Sequence, residues 1–227
     1  MNLFDILGPV MVGPSSSHTA GAVRIGRVAR RLLGSQPVRA EIGLSGSFAA
    51  TGRGHGTDRA LLAGLMDMEP SDERIAASLE LAREAGIDYR FTRVTLPGAH
   101  PNTARLTLTA ADGKQLTMTA SSLGGGRILV NELNGLEASF SGDLPTLIVR
   151  NIDQPGHVSD VATMLSHKGV NVASMRVYRD HPGGNAVMII ETDKAVPEDG
   201  LRWLARSEGI VDVTFIDRKK EADEDGV

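Results

Sequence analysis

The stretch that most constrains the fold is residues 146–217, where the apolar period switches repeatedly between that of a strand and that of a helix. Thr146-Leu147-Ile148-Val149 is a short unbroken run that reads as a buried strand. Asn151-Ile152-Asp153-Gln154-Pro155-Gly156 follows as a turn. Val158, Val161, Ala162 and Leu165 then stand at the i, i+3, i+4, i+7 spacing of one helical face, with Gly169 as the C′ residue. Residues 170–178 read as a strand whose alternation slips near Ser174. His181-Pro182-Gly183-Gly184-Asn185 is a hairpin loop, and residues 186–190 form a strand apolar on both faces. Pro197 suits the first position of a second helix, with Glu198 and Asp199 in its first turn. Leu201, Leu204 and Ala205 give that helix its stripe, and Val211, Val213 and Phe215 alternate as a last strand. The order is βαββαβ, which predicts an antiparallel sheet with both helices on one face.

Residues 1–143 mix element types. Helices are expected at 19–33, 58–68 and 73–85. Strands are expected at 38–44, 89–96, 105–109, 115–119 and 128–132, the hairpin between 105–109 and 115–119 closing at Ala111-Asp112-Gly113-Lys114. Gly124-Gly125-Gly126 marks a break. The cluster Ser141-Gly142-Asp143-Leu144-Pro145 sets the expected boundary. The reading is an α+β chain with domains at 1–143 and 146–218 and a tail at 219–227.

Charge and composition remove several function classes. Residues 1–143 hold 14 basic and 14 acidic side chains, while residues 144–227 hold 10 and 14, so the net charge of −4 lies entirely in the second part. Much of it sits at Glu221, Asp223, Glu224 and Asp225, expected to be a solvated, disordered end. With no basic stripe and 4% aromatics, nucleic-acid binding is not expected. No apolar run reaches the roughly 20 residues of a membrane helix, and Met1-Asn2-Leu3-Phe4-Asp5 lacks a basic signal start, so the cytoplasm is the expected compartment. There is no cysteine, which excludes disulfides, a thiol nucleophile and a cysteine-ligated cluster held by this chain alone.

Residues 1–143 contain three histidines, each among small or turn-forming residues: Ser15-Ser16-Ser17-His18-Thr19, Gly54-His55-Gly56-Thr57-Asp58, and His100-Pro101-Asn102. All three are expected in loops open to a ligand. Three serines before a helical pattern exceed what a cap needs. One caps, and the others aim hydroxyls beside free N–H groups, a ready site for a carboxylate. His55, with Thr57 and Asp58 close behind, suits a general base near neutral pH. His100 either orients substrate or decorates a turn. Zinc binding by three separate loops lacks a short-range ligand pair, and no site metal is expected on this chain. No nucleophile elbow is present, none of the five lysines lies in these loops, and Gly124-Gly125-Gly126-Arg127 matches neither GxGxxG nor a P-loop.

Phe4-Asp5-Ile6-Leu7-Gly8-Pro9, followed by Gly13-Pro14-Ser15-Ser16-Ser17-His18-Thr19-Ala20-Gly21, resembles the opening of the serine dehydratase β chain. Gly54-His55-Gly56-Thr57-Asp58 and His100-Pro101-Asn102-Thr103 are similar to that family too, so the resemblance covers residues 1–143. Residues 146–217 resemble an ACT domain, a ferredoxin-like module. The resemblance implies conversion of L-serine to pyruvate and ammonia, with a 4Fe-4S cluster acting as Lewis acid on the substrate hydroxyl. That cluster would be ligated by a separate α subunit, a partner this cysteine-free chain needs. The first domain would resemble the allosteric substrate-binding domain of some phosphoglycerate dehydrogenases. Ser15, Ser16, Ser17 and Thr19 would hold the substrate carboxylate, with Thr57, Asp58, His100 and Asn102 nearby. His18 or His55 would take the Cα proton, with Asp58 favouring His55. In the ACT-like part, Asn151, Asp153, Gln154, Pro155, Gly156 and His157 would line an amino-acid site at a self-association interface, unless that module only dimerises. The same serine-rich helix start would also serve a non-catalytic amino-acid sensor.

Overall fold

The computed structural model describes residues 11–13 and 15–217. The Phe4–Pro9 stretch, Pro14, Arg218 and the acidic tail, all singled out in the sequence, lie outside the described residues. The chain divides into two compact units at Gly135/Leu136. Among the described residues no helix is long and apolar enough to cross a membrane.

In the first unit a π-helical turn, Ser16–Ala20, runs straight into α1 (Gly21–Leu33). Then come β1 (Pro37–Ser45), α2 (Gly46–His55), α3 (Thr57–Leu65), a 3-10 turn (Glu73–Ala77) continuing into α4 (Ser78–Glu84), and β2 (Asp88–Arg93). β3 (Asn102–Ala110), β4 (Gln115–Gly124) and β5 (Arg127–Leu133) complete the unit. The strands lie in the order β2-β1-β3-β4-β5, with β1 and β2 parallel and the other pairs antiparallel.

The register explains which face is covered. Ile42 pairs with Leu106, and Leu106 with Met118, so one period-2 set carries Ala40, Ile42, Leu106, Leu108, Met118 and Val130, all buried. α1 lies over β3, β4 and β5 on this face, with α3 packed against α1. Ile25 of α1 and Leu61, Leu62 and Leu65 of α3 are fully buried there. The alternate set is threonine- and serine-rich, and Thr103 and Ser121 share a hydrogen bond of 2.8 Å.

Two elements were not expected from sequence. The segment around Gly54, read as a loop, is the end of helix α2. Three glycines in ten residues make α2 intrinsically weak. Tertiary contacts decide instead: Phe48 is fully buried, and the N–H groups of Ser47 and Phe48 donate to the Pro101 carbonyl at 2.7 and 3.4 Å. Gly46 enters the helix at φ 54°, and a Cβ there would stand 2.5 Å from that carbonyl oxygen, so glycine is required. The second is a strand, β6 (Leu136–Phe140), just ahead of the expected boundary. It lies against two strands of the second unit, which is why that unit begins at Leu136 rather than after the Gly/Pro cluster.

Past β6, the second unit runs β7 (Thr146–Ile152), α5 (His157–His167), β8 (Val172–Arg179), β9 (Asn185–Thr192), α6 (Glu198–Ala205) and β10 (Ile210–Ile216). The order β10-β7-β9-β8 is antiparallel throughout, and the βαββαβ ferredoxin-like expectation holds. Leu147 and Val149 of β7, Met188 and Ile190 of β9, Val161 and Leu165 of α5 and Leu204 of α6 share one core, so both helices cover one face. Pro197 is the N-cap, in extended conformation, rather than the first helical residue.

Candidate functional site

The π-helical entrance and α2 bring His18 and His55 together. Ser15 caps the entrance, its Oγ accepting from the main-chain N–H of His18 at 3.2 Å, and Thr19 N–H returns to the Ser15 carbonyl at 2.8 Å. His18 is therefore inside the first turn rather than in a loop. His55 closes α2, where Gly56, at φ 70°, reverses the chain into α3. The two imidazole centroids are 5.0 Å apart, and the ring of Phe48 meets His18 edge-on at 5.4 Å.

The His18 ring is fully engaged. Nδ1 lies 3.3 Å from Ser15 Oγ, while Nε2 lies 3.2 Å from Ser47 Oγ and 3.1 Å from Thr51 Oγ1. Burial, and next the charge of His55, hold His18 below the ordinary histidine value of 6.5, with a backbone hydrogen bond at Ser47 opposing them. His18 is thus neutral at neutral pH. The His55 ring is exposed and makes no hydrogen bond among the described residues.

The remaining predicted residues divide. The hydroxyls of Ser16 and Ser17 make no hydrogen bond to another described residue, and a Cβ at Gly124 of the triple-glycine turn would stand 3.5 Å from Ser17 Oγ. Thr19 is buried, and its hydroxyl donates to the His55 carbonyl at 3.4 Å, tying the two histidine-bearing segments together. Thr57 is fully buried with an unpartnered hydroxyl. Asp58 Oδ1 accepts from Arg59 N–H at 2.9 Å, and no hydrogen bond or ion pair joins it to His55 among the described residues. It lines a cavity of about 590 Å³ with Phe48, Arg83, Tyr89 and Arg93. His100 does lie in a loop. Its Nδ1 accepts from Asn102 N–H at 3.1 Å and its carbonyl from Thr103 Oγ1 at 2.6 Å, the pattern of a turn. Asn102 bridges to Gly46 at the start of α2, and its Oδ1 is buried and unpartnered.

Sequence reasoning missed Ser47 and Thr51. They stand at i and i+4 on α2, with His55 four residues further, so the three form one stripe facing His18. That spacing is present in the sequence, but it has meaning only once the segment is known to be helical.

In the second unit, residues 153–156 link β7 to α5. Asp153 is not free for a ligand: its carboxylate accepts from Arg179 Nη1 at 2.9 Å and Gly183 N–H at 3.1 Å. The Gly183 hydrogen bond, followed by Arg179, holds it below the usual carboxylate range. By contrast, Asn151 Oδ1 near the end of β7 and His157 Nε2 in the first residue of α5 are buried without a partner. Gln154, Pro155 and Gly156 are exposed between them. Among the described residues no group of three or more His, Cys, Asp or Glu is placed to hold a metal.

Residues 2–133 match the family model of the serine dehydratase beta chain, and residues 146–206 that of the ACT domain. The chain is 45% identical over 215 residues to a probable L-serine dehydratase, beta chain, of Bacillus subtilis, covering 95% of this chain and 97% of that one. It is 38% identical over 196 residues to the L-serine dehydratase, beta chain, of Peptoniphilus asaccharolyticus, covering 86% and 88%. A D-3-phosphoglycerate dehydrogenase of Methanocaldococcus jannaschii is 32% identical over 109 residues, 48% of this chain and 21% of that enzyme. With both family models matched and the β chains covered almost end to end, the chain belongs to the serine dehydratase β-chain family, with a C-terminal ACT domain.

Proposed function

We propose that this chain is the β subunit of an L-serine dehydratase, deaminating L-serine to pyruvate and ammonia together with a cluster-bearing α subunit. The observation that carries the reading is the pair of imidazoles 5.0 Å apart at a helix entrance rich in unengaged hydroxyls. The first N–H groups of such an entrance have no carbonyl one turn back, and they favour an anion. We assign Ser16 and Ser17 to the substrate carboxylate, with Ser15 capping the turn beside them. His55, whose lone pair is free, takes the Cα proton. His18 sits beside it, neutral and fixed. Asn102 and His100 close the rim next to Ser47.

The 4Fe-4S cluster implied by the family does not fit this chain alone. There is no cysteine in 227 residues, so no thiolate ligand is available. The cluster is placed on the α subunit, and the His18–His55 face is where that subunit would meet this one. In the ACT domain, the orphaned Asn151 Oδ1 near the end of β7 and His157 Nε2 at the start of α5 support an amino-acid ligand site. β8, at the edge of the sheet with Val172 and Val177 exposed, supports self-association of this module.

Anaerobic co-expression with the α subunit, followed by a pyruvate assay on L-serine, tests the proposal. Turnover that requires both chains is expected. An intact two-chain complex that binds L-serine without releasing pyruvate would point to a sensor instead.

A further inference from the structure

The hydrogen atoms around His18 can be counted. Thr51 Oγ1 carries one hydrogen and donates it to the Ser47 carbonyl at 3.0 Å. Toward His18 Nε2, 3.1 Å away, it therefore presents a lone pair. Nε2 must carry the ring hydrogen for this contact to be attractive. On the other side, Ser15 Oγ already accepts the His18 main-chain N–H at 3.2 Å. Its own hydrogen is free to point at Nδ1, 3.3 Å away. Donor meets acceptor at every contact in only one neutral arrangement: hydrogen on Nε2, lone pair on Nδ1. The opposite tautomer sets the Nε2 lone pair against that of Thr51 Oγ1, unless the Thr51 hydroxyl leaves the Ser47 carbonyl.

We infer that Ser15, Ser47 and Thr51 are positioning residues that lock His18 as the Nε2–H tautomer, which leaves His55 as the imidazole with an available lone pair. The consequence for turnover rests on the lyase reading above; the tautomer does not. Locked in this way, His18 has both nitrogens committed and no lone pair to accept a Cα proton. It serves as a fixed wall and dipole at 5.0 Å from the ring that does accept it. Ser47 and Thr51 thus act on the reaction through His18, and α2 carries both the clamp and the base on one stripe.

Nitrogen-15 histidine labelling of the full chain, read by long-range proton–nitrogen correlation at neutral pH, reports the tautomer directly. His18→Gln assigns the signals. The expected spectrum shows Nε2 protonated and Nδ1 unprotonated for His18. A second arm compares Thr51→Ser with the double variant Ser47→Ala/Thr51→Val. The serine variant keeps the tautomer. The double variant mixes the two forms and, in the two-chain enzyme, lowers kcat about three- to tenfold with KM for L-serine little changed. Hydrogen on Nδ1 in the unaltered chain would overturn the inference. So would a double variant with the same tautomer and the same kcat. Pyruvate formation absent in every form, with Nε2 protonated in the unaltered chain and in Thr51→Ser but the two tautomers mixed in the double variant, would count against the lyase reading and leave the clamp standing.

Discussion

Replacing Gly64 by alanine tests how the two histidine-bearing segments are held. α1 and α3 touch backbone to backbone. A Cβ built on Gly64 falls 2.1 Å from the Val23 carbonyl oxygen and 2.9 Å from the Arg27 nitrogen, and one on Gly26 falls 2.3 Å from the Leu61 carbonyl oxygen. None of these atoms is the end of a flexible side chain, so relief requires one helix to move. In an uncrowded helix, Gly→Ala would stabilise by about 1 kcal/mol. Here overpacking opposes it, at about 1–3 kcal/mol and toward the upper end because the contact is with main chain. The net is a loss of about 2 kcal/mol, or roughly 4–8 °C in Tm for a chain of this size. Because α1 continues from the turn holding His18 and α3 follows His55, kcat should fall as well. Thermal and urea unfolding followed by far-ultraviolet circular dichroism measure the first effect. An unchanged or raised midpoint for Gly64→Ala would refute the close approach and the positioning drawn from it.

Other consequences follow from the same geometry. Phe48→Ala empties a fully buried site and should cost about 3–5 kcal/mol in urea unfolding, against a much smaller loss for Phe48→Leu; equal losses would mean that Phe48 does not anchor α2. His18 titrates below 6.5 in the folded chain. Well above 6.5 neither state binds its proton; as pH falls through 6.5 the unfolded chain protonates first, so stability drops until the lowered folded value is passed. His18→Gln should flatten that part of the Tm–pH curve, and a curve parallel to the unaltered chain's would contradict the shift. In calorimetry, L-serine should give a heat of binding that Asn151→Ala reduces by the share of the ACT domain, whereas a heat unchanged by Asn151→Ala would mean that the module only dimerises.

The legibility of this chain in sequence tracked how strongly periodicity speaks. The ACT domain was readable because Val161 and Leu165 of the expected helical face and Leu147, Val149, Met188 and Ile190 fill one core, although Val158, expected on that face, is exposed. Its register slip was visible too: the alternation breaks at Ser174, where the β8–β9 pairing shifts. The helix α2 was hidden because Gly46, Gly52 and Gly54 argue locally for a turn, while what makes it helical is distant, the Pro101 carbonyl and the burial of Phe48. With α2 hidden, Ser47 and Thr51 had no face. The same gap explains Asp58: proximity in sequence suggested that it tunes His55, but after the reversal at Gly56 its carboxylate accepts from its own helix start and lines a cavity with Arg83 and Arg93. His18 was singled out in the sequence but given the wrong setting, since three serines and a histidine read as an open loop and form a turn of helix.

The most direct test of the account is the turnover number of His55→Ala in the reconstituted two-chain enzyme, measured beside His18→Gln. A general base contributes about 10²–10⁴-fold, so kcat for His55→Ala should fall by that much with the complex intact. His18→Gln should lose less, because it removes a positioned neighbour rather than the proton acceptor. A kcat for His55→Ala equal to that of the unaltered enzyme would contradict the assignment.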